Sequence, residues 1–240
     1  MRPRSFCGEA AVLNLAFYCD QIIPENRAID ERLLAVMAAK CPGRRIAYIA
    51  SGPEPDRRFF LERVDYYAPY GLDLCIFHDL DETHGADAEA ALFGCDAIHL
   101  TGGHTADFLA RLKRSGLMPR LRQWAVDGGV LIGTSAGAIL LTPTIATDAL
   151  FTDTAPEEAM EETALDLVPF EFFPHLDERP TFLADLIRYS SFTPRPVLAC
   201  RDGDGLVVSN GLLECIGHPL WIEKGETRPA RTMPLSAISA

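Results

Sequence analysis

The sequence predicts an α/β protein of three layers: a mostly parallel sheet with helices on both faces, ending in β-hairpins. Three observations carry this expectation. Near-continuous apolar runs of strand length alternate with segments whose apolar residues fall at helical spacing, which is the pattern of a sheet covered on both sides. Two of the runs end in clusters of small residues, at Gly102-Gly103 and at Gly133-Thr134-Ser135-Ala136-Gly137. The Asp-Gly and Asn-Gly turn signals, Asp202-Gly203 and Asn210-Gly211, fall in the tail, between short apolar runs that read as antiparallel hairpins.

In chain order, Asn14 to Cys19 reads as the first strand, and Ile29, Leu33, Val36 and Met37 mark the helix after it. Arg45 to Ser51 is the clearest strand and is closed by Gly52-Pro53. Phe60, Val64 and Tyr67 give the next helix, and Leu72 to Phe77 a third strand. The acidic, Ala-rich segment from Asp79 to Ala91 reads as a loop and short helix, followed by a strand over Ala97 to Leu100. An apolar run then enters the elbow at Gly133. Beyond it, residues 123–178 hold no Lys or Arg, while Asp148, Asp153, Glu157, Glu158, Glu161, Glu162, Asp166 and Glu171 accumulate in the second half, which reads mostly as a solvated acidic face. Phe170 to Pro174 forms a strand leading into His175, and a helix is expected over Thr181 to Tyr189.

Composition bounds the possibilities. A chain of 240 residues with 48% hydrophobic and 23% charged content fits one globular domain over 1–240. A net charge of −12 disfavours nucleic acid and anionic membrane as partners, since both call for a basic surface. No apolar run approaches the ~20 residues of a membrane span, and Met1-Arg2-Pro3-Arg4 is not followed by a signal-peptide core, so a cytoplasmic location is expected. The seven cysteines (7, 19, 41, 75, 95, 200, 215) lack C-x-x-C spacing and read as small buried hydrophobes, not as a disulfide framework or zinc site.

The strand, the Gly133-x-Ser135-x-Gly137 turn and the helix start after it read together as a nucleophile elbow, in which small neighbours let the serine hydroxyl stand clear of the sheet. Ser135 is the candidate nucleophile. A serine needs a base, and of the six histidines His175 is best placed, lying past a strand end and C-terminal to the serine. His78 and His99 read as packed residues satisfied by backbone, and His84 and His218 as loop residues. Asp148 and Asp153 are candidates for the orienting carboxylate, with Glu157 and Glu158 as further options. Ala136 with Gly102 or Gly103 would supply oxyanion-hole amides. His104 and Thr105, directly after the paired glycines, are candidates for substrate contact. No metal or organic cofactor is required by this chemistry.

Leu100 to Leu109, Gly133 to Ala138 with Pro143-Thr144-Ile145 behind it, and Phe173-Pro174-His175 together resemble the serine peptidases typified by dipeptidase E and cyanophycinase. The resemblance implies a class I glutamine amidotransferase-like fold and an acyl-transferring hydrolase with a serine, histidine and carboxylate triad. On it, Ser135 is the nucleophile, His175 the base, and Gly103 and Ala136 the oxyanion hole. His104 stands where dipeptidase E has Asn, and the family's aspartate downstream of the serine falls near Leu150, between Asp148 and Asp153. The implied partner is a small peptide, on the dipeptidase E resemblance one with an N-terminal aspartate, for which Arg179 is the nearest cation, with Arg188 one helix length on; a homodimer is left open. An esterase shares the elbow, although the 40 residues from Ser135 to His175 leave little room for its further strands. A catalytically silent ligand-binding protein of the same fold is the other alternative. Ser135 in place of cysteine disfavours a glutamine amidotransferase.

Overall fold

The computed structural model describes residues 12–40 and 43–238; the opening Met1 to Arg4, Cys7 and Cys41 lie outside them. The parallel half of the main sheet is built from β1 (Asn14–Tyr18), β2 (Arg45–Ile49), β3 (Asp73–His78), β4 (Ala97–Leu100) and β5 (Val130–Thr134). They lie in the order β1-β5-β4-β2-β3, with every neighbouring pair parallel. Helices α1 (Arg27–Lys40), α2 (Arg58–Tyr67), α3 (Ala86–Phe93), α4 (Thr105–Ser115) and α5 (Met118–Val126) connect these strands.

Alternation along each strand divides the core between the two faces. Ala16, Tyr18, Ile46, Tyr48, Val130 and Ile132 point to the side where Ile29, Leu33 and Val36 of α1 and Tyr66 and Tyr67 of α2 pack. Leu15, Phe17, Ala47, Ile49, Ile98 and Leu131 point the other way, toward Leu92 of α3, Phe108 and Leu112 of α4, and Leu121 of α5. This is the two-sided covering that the unbroken apolar strands predict. Among the described residues, no helix is long and apolar enough to cross a membrane.

On its other side, β1 pairs antiparallel with β8 (Gly205–Ser209), which turns through Asn210-Gly211 into β9 (Leu212–Ile216) and on to β12 (Met233–Pro234) at the edge. A second, four-stranded sheet has the order β11-β10-β7-β6, from β6 (Glu171–Phe173), β7 (Val197–Ala199), β10 (Leu220–Glu223) and β11 (Glu226–Pro229). Its apolar side packs on α7 (Phe182–Tyr189) through Phe173, Val197, Ile222, Phe182 and Leu186.

One expectation is corrected here. Asp202-Gly203 does not close a hairpin, because β7 and β8 on either side of it belong to different sheets. Most of the acidic stretch is solvated, Asp153, Glu158, Glu161, Glu162 and Asp166 being exposed, and arginines and a lysine from outside it pair along it, Arg179 with Asp153, Arg188 with Glu157, Lys113 with Glu162 and Arg122 with Asp166. Glu171 is fully buried, with Arg195 at 3.6 Å.

Candidate active site

The carboxyl ends of β1, β2, β4 and β5 converge on one rim, where open α/β sheets hold their ligands. A cavity of about 460 Å³ opens there, and Asp20, Ser51, Gly102, Gly103 and Ser135 line it from the four strand ends. Its size suits an amino-acid residue or small peptide.

Ser135 leaves β5 through a backbone that side chains rarely adopt, at φ 49° and ψ −110°. The flanking glycines allow the turn. A Cβ on Gly133 would stand 2.6 Å from the Ala138 Cα, and one on Gly137 would collide with the Leu100 carbonyl oxygen. The short helix α6 (Ala136–Ile139) follows immediately. The Ser135 amide is held by the Tyr18 carbonyl at 2.9 Å and the Gly137 amide by that of Thr101 at 3.0 Å, which pins the elbow between β1 and β4.

His175 arrives from the second sheet. Because β6 and β7 run parallel, with Phe173 opposite Ala199, the residues just past their ends emerge side by side. The amide of Cys200 bonds the Phe173 carbonyl, and the amide of Leu176 bonds that of Cys200, both at 2.9 Å. This register places His175 beside Asp202. The Asp202 turn is fixed by buried Asp204, whose carboxylate accepts from the amides of Arg201 at 3.0 Å and His218 at 2.7 Å, while Gly203 takes φ 88°.

His175 Nε2 lies 3.0 Å from Ser135 Oγ, and His175 Nδ1 lies 2.6 Å from Asp202 Oδ1. A carboxylate can only accept, so the imidazole proton sits on Nδ1 and leaves Nε2 to accept from the serine hydroxyl. The imidazole is 21% exposed, with the Phe151 ring edge-on at 6.3 Å, whereas Asp202 is 56% exposed.

The other sequence candidates are placed as follows. Gly103 and Ala136 are on the rim beside Ser135, and among the described residues neither amide donates to another group, so both are available to a developing oxyanion. Gly103 has φ 146°, and a Cβ there would collide with Ser51 Oγ. The carbonyl of Gly102 is taken by the Ser51 hydroxyl at 2.6 Å. Neither sequence-designated aspartate touches His175. Asp148 is largely buried, which raises its pKa above the usual carboxylate value, and it hydrogen-bonds Thr105 close to His104, each opposing that rise. Asp153 is 84% exposed and pairs with Arg179 at 2.6 Å, so Arg179 is directed away from the cavity. Glu157 is held by Arg188. His104 caps α4, accepting the Asp107 amide at 3.3 Å, and lines a smaller pocket of about 210 Å³ next to the main one.

Three groups escaped the sequence reading: Asp202 behind His175, and Gln21 and Arg63 in the cavity lining. The Asp-Gly pair at 202 carries a signal, but one that points to a turn and not to a charge. Gln21 and Arg63 carry none. His99 is packed, as expected, but its partners are side chains, Thr134 at 3.0 Å and Tyr67 at 3.4 Å, and not backbone. Among the described residues no group of three His, Cys, Asp or Glu side chains could hold a metal ion.

An elbow turn on an α/β sheet, with a histidine and a carboxylate in line behind the serine, is the arrangement that acyl-transferring serine hydrolases use. The chain belongs to peptidase family S51, whose family model matches residues 21–216. Peptidase E of Salmonella typhi is 28% identical over 199 residues, covering 78% of this chain and 82% of that protein. The uncharacterized peptidase Lmo0363 of Listeria monocytogenes is 36% identical over 88 residues, and the match spans 35% of this chain and 42% of the Listeria protein's length. Among solved structures, a peptidase from an acI-B1 Actinobacterium superposes with a TM-score of 0.69 at 12% identity, over 94% of this chain and 98% of that one. A putative peptidase E from Listeria monocytogenes EGD-e superposes with a TM-score of 0.62 at 19% identity, over 92% and 99%. Both likenesses bear on the fold.

Proposed function

We propose that the protein is a serine exopeptidase or dipeptidase that cleaves short peptides through an acyl-enzyme on Ser135. The observation that carries the reading is the unbroken line Ser135–His175–Asp202 at the wall of a cavity of peptide size. Ser135 Oγ attacks the scissile carbonyl carbon as His175 Nε2 takes its proton, and the carbonyl oxygen becomes an oxyanion facing the Gly103 and Ala136 amides. The C–N bond then breaks, with the same proton passing from His175 to the leaving amine. Water, deprotonated by His175, attacks the ester carbonyl, and the proton returns to Ser135 as the acid product leaves. Asp202 holds the imidazole orientation and stabilises the imidazolium.

An exopeptidase is supported by the acids of the cavity. Asp20 and Glu62 line it and suit the free α-amino group of a short peptide. The peptidase E proteins among the relatives support the same substrate class, and an N-terminal acidic residue is the finer reading. Asp202 at 2.6 Å from His175 Nδ1 supports a complete triad and weighs against the silent ligand-binding alternative. The test is a panel of Asp-X, Glu-X, neutral and amine-blocked dipeptides, with an ester included, given to the wild type and Ser135→Ala. Cleavage of free-amine dipeptides that disappears in the variant is expected. Cleavage of the ester alone, or of blocked and free peptides equally, would overturn the exopeptidase reading.

A further inference from the structure

Two thiols that the acyl-transfer steps do not use meet where the two sheets join. Cys19 directly follows β1 and Cys200 directly follows β7; both are free and fully buried. The topology brings them together. The Asp204 amide bonds the Arg201 carbonyl at 3.0 Å, so the chain reverses over residues 201–204, with Cys200 entering the turn and Gly205 leaving it. Gly205 lies opposite Tyr18 in the pairing of β1 with β8, which sets Cys200 beside the residue after Tyr18. The thiol of Cys200 is hydrogen-bonded to that of Cys19.

Each thiol is carried by backbone that holds one half of the site. The Tyr18 carbonyl, in the peptide bond to Cys19, accepts the Ser135 amide at 2.9 Å. The Cys200 amide donates to the Phe173 carbonyl and the Cys200 carbonyl accepts from the Leu176 amide, so both of its backbone groups support the strand end that bears His175. Asp202 follows two residues on. The nucleophile thus hangs on the frame of Cys19, and its base and carboxylate on the frame of Cys200. Sulfurs in contact must come closer still to bond, so a disulfide here would draw the two frames together. A misplacement of about 1 Å in such a site can slow the reaction about 100-fold.

The two thiols are not equivalent. Cys19 belongs to the cavity wall, and Cys200 lies behind it. Since Cys19 is closed to water at rest, its oxidation waits on local opening of that wall. Burial, and then Cys19 beside it, raises the pKa of Cys200 well above the usual thiol value, so Cys200 keeps its proton. Cys75 and Cys95 are also in contact, but they lie toward the amino ends of β3 and β4, away from the rim. Their sulfurs also bond carbonyls, of Ile46 at 3.8 Å and Ala91 at 3.5 Å.

We propose that Cys19 and Cys200 close as a disulfide when a peroxide enters the cavity, and that this bond reversibly slows acyl transfer. The proposal rests on the reading of Ser135 as nucleophile. The Cys19 sulfur, as thiolate, attacks one peroxide oxygen; the O–O bond breaks, a sulfenic acid forms, and the other oxygen leaves as water with the proton that the thiol gave up. The Cys200 sulfur then displaces the sulfenic oxygen. The S–S bond forms, the S–O bond breaks, and the Cys200 proton leaves with that oxygen as a second water. Two thiols lose two electrons, and one peroxide becomes two waters.

The experiment treats the reduced full chain with hydrogen peroxide and maps its cysteine links by peptide mass. In parallel it follows the rate at which a fluorophosphonate labels Ser135, a readout that needs no peptide substrate. A Cys19–Cys200 link is expected, with labelling slowed about 10- to 100-fold and restored by dithiothreitol. Cys200→Ala should label equally fast before and after peroxide, whatever that rate is, and Cys19→Ala serves as the second variant should it not fold. Cys75→Ala should keep the whole response. No link, a link from Cys200 to Cys215 instead, or a linked chain that labels at the reduced rate would overturn the proposal. So would a loss that dithiothreitol does not reverse or that persists in Cys200→Ala. A reduced chain that is not labelled at all overturns the acyl-transfer reading and the switch with it, whereas labelling without the link removes the switch alone.

Discussion

Replacing Asp202 by Asn tests the least legible part of the site. The variant keeps the shape of the side chain but removes the charge 2.6 Å from His175 Nδ1 and allows an amide donor to face that nitrogen, favouring the wrong tautomer. The electrostatic loss can be bounded. Unit charges about 4 Å apart interact by about 1 kcal/mol in water and about 4 kcal/mol in a site of intermediate dielectric, and Asp202 is 56% exposed, so the value falls between these limits. With the tautomer effect added, kcat should fall about 100- to 1,000-fold, less than the ~10⁴-fold typical of a buried triad acid. The assay is kcat on the best dipeptide of the panel, for Asp202→Asn beside Asp148→Asn and Asp153→Asn. The latter two should stay within about tenfold of wild type, since neither carboxylate touches the imidazole. A wild-type rate in Asp202→Asn, or a larger loss in Asp148→Asn, would refute the reasoning.

Further expectations concern the scaffold and its response to pH. Gly137→Ala should destabilise the fold by more than about 3 kcal/mol, because the new methyl meets the Leu100 backbone, whereas Gly85→Ala meets nothing within 4 Å; denaturant midpoints of the two variants decide this. Burial raises Glu171 from 4.5 to about 7, so the folded protein holds that proton more tightly than the unfolded chain. Its contribution to stability is complete below pH 4.5 and is lost as pH rises through 7. The difference in unfolding free energy between wild type and Glu171→Gln should therefore shift by about 3 kcal/mol from pH 4 to pH 8, and parallel curves would count against it. His99 works in the opposite sense: with its pKa lowered from 6.5 to about 3, its contribution is present above pH 6.5 and is lost as pH falls toward 3. Denaturation titrations should show that loss on the acid limb of the wild type.

The parts of this molecule written into local sequence were the ones legible beforehand. Strands such as Arg45 to Ile49 and Val130 to Thr134 are buried on both faces and read as unbroken apolar runs. The elbow was legible because Gly133 and Gly137 answer to contacts that admit no side chain. The partner of His175 was not, because Asp202 reaches it through the pairing of β6 with β7 across 27 residues, a register no local pattern records. A second parallel pair was hidden in what read as a tail of hairpins. Arg63 carries no local signal on its helix, and only the approach of Gln21 from the end of β1 shows that it lines the cavity.

The most direct test of the central claim is intact-mass analysis after exposure to a fluorophosphonate, which traps an activated serine whatever the natural substrate is. One adduct per chain is expected, on Ser135, absent in Ser135→Ala and formed at least 100-fold more slowly in His175→Ala. No adduct on the wild type, or one that persists in Ser135→Ala, would contradict the assignment of Ser135, His175 and Asp202 as an acyl-transfer site.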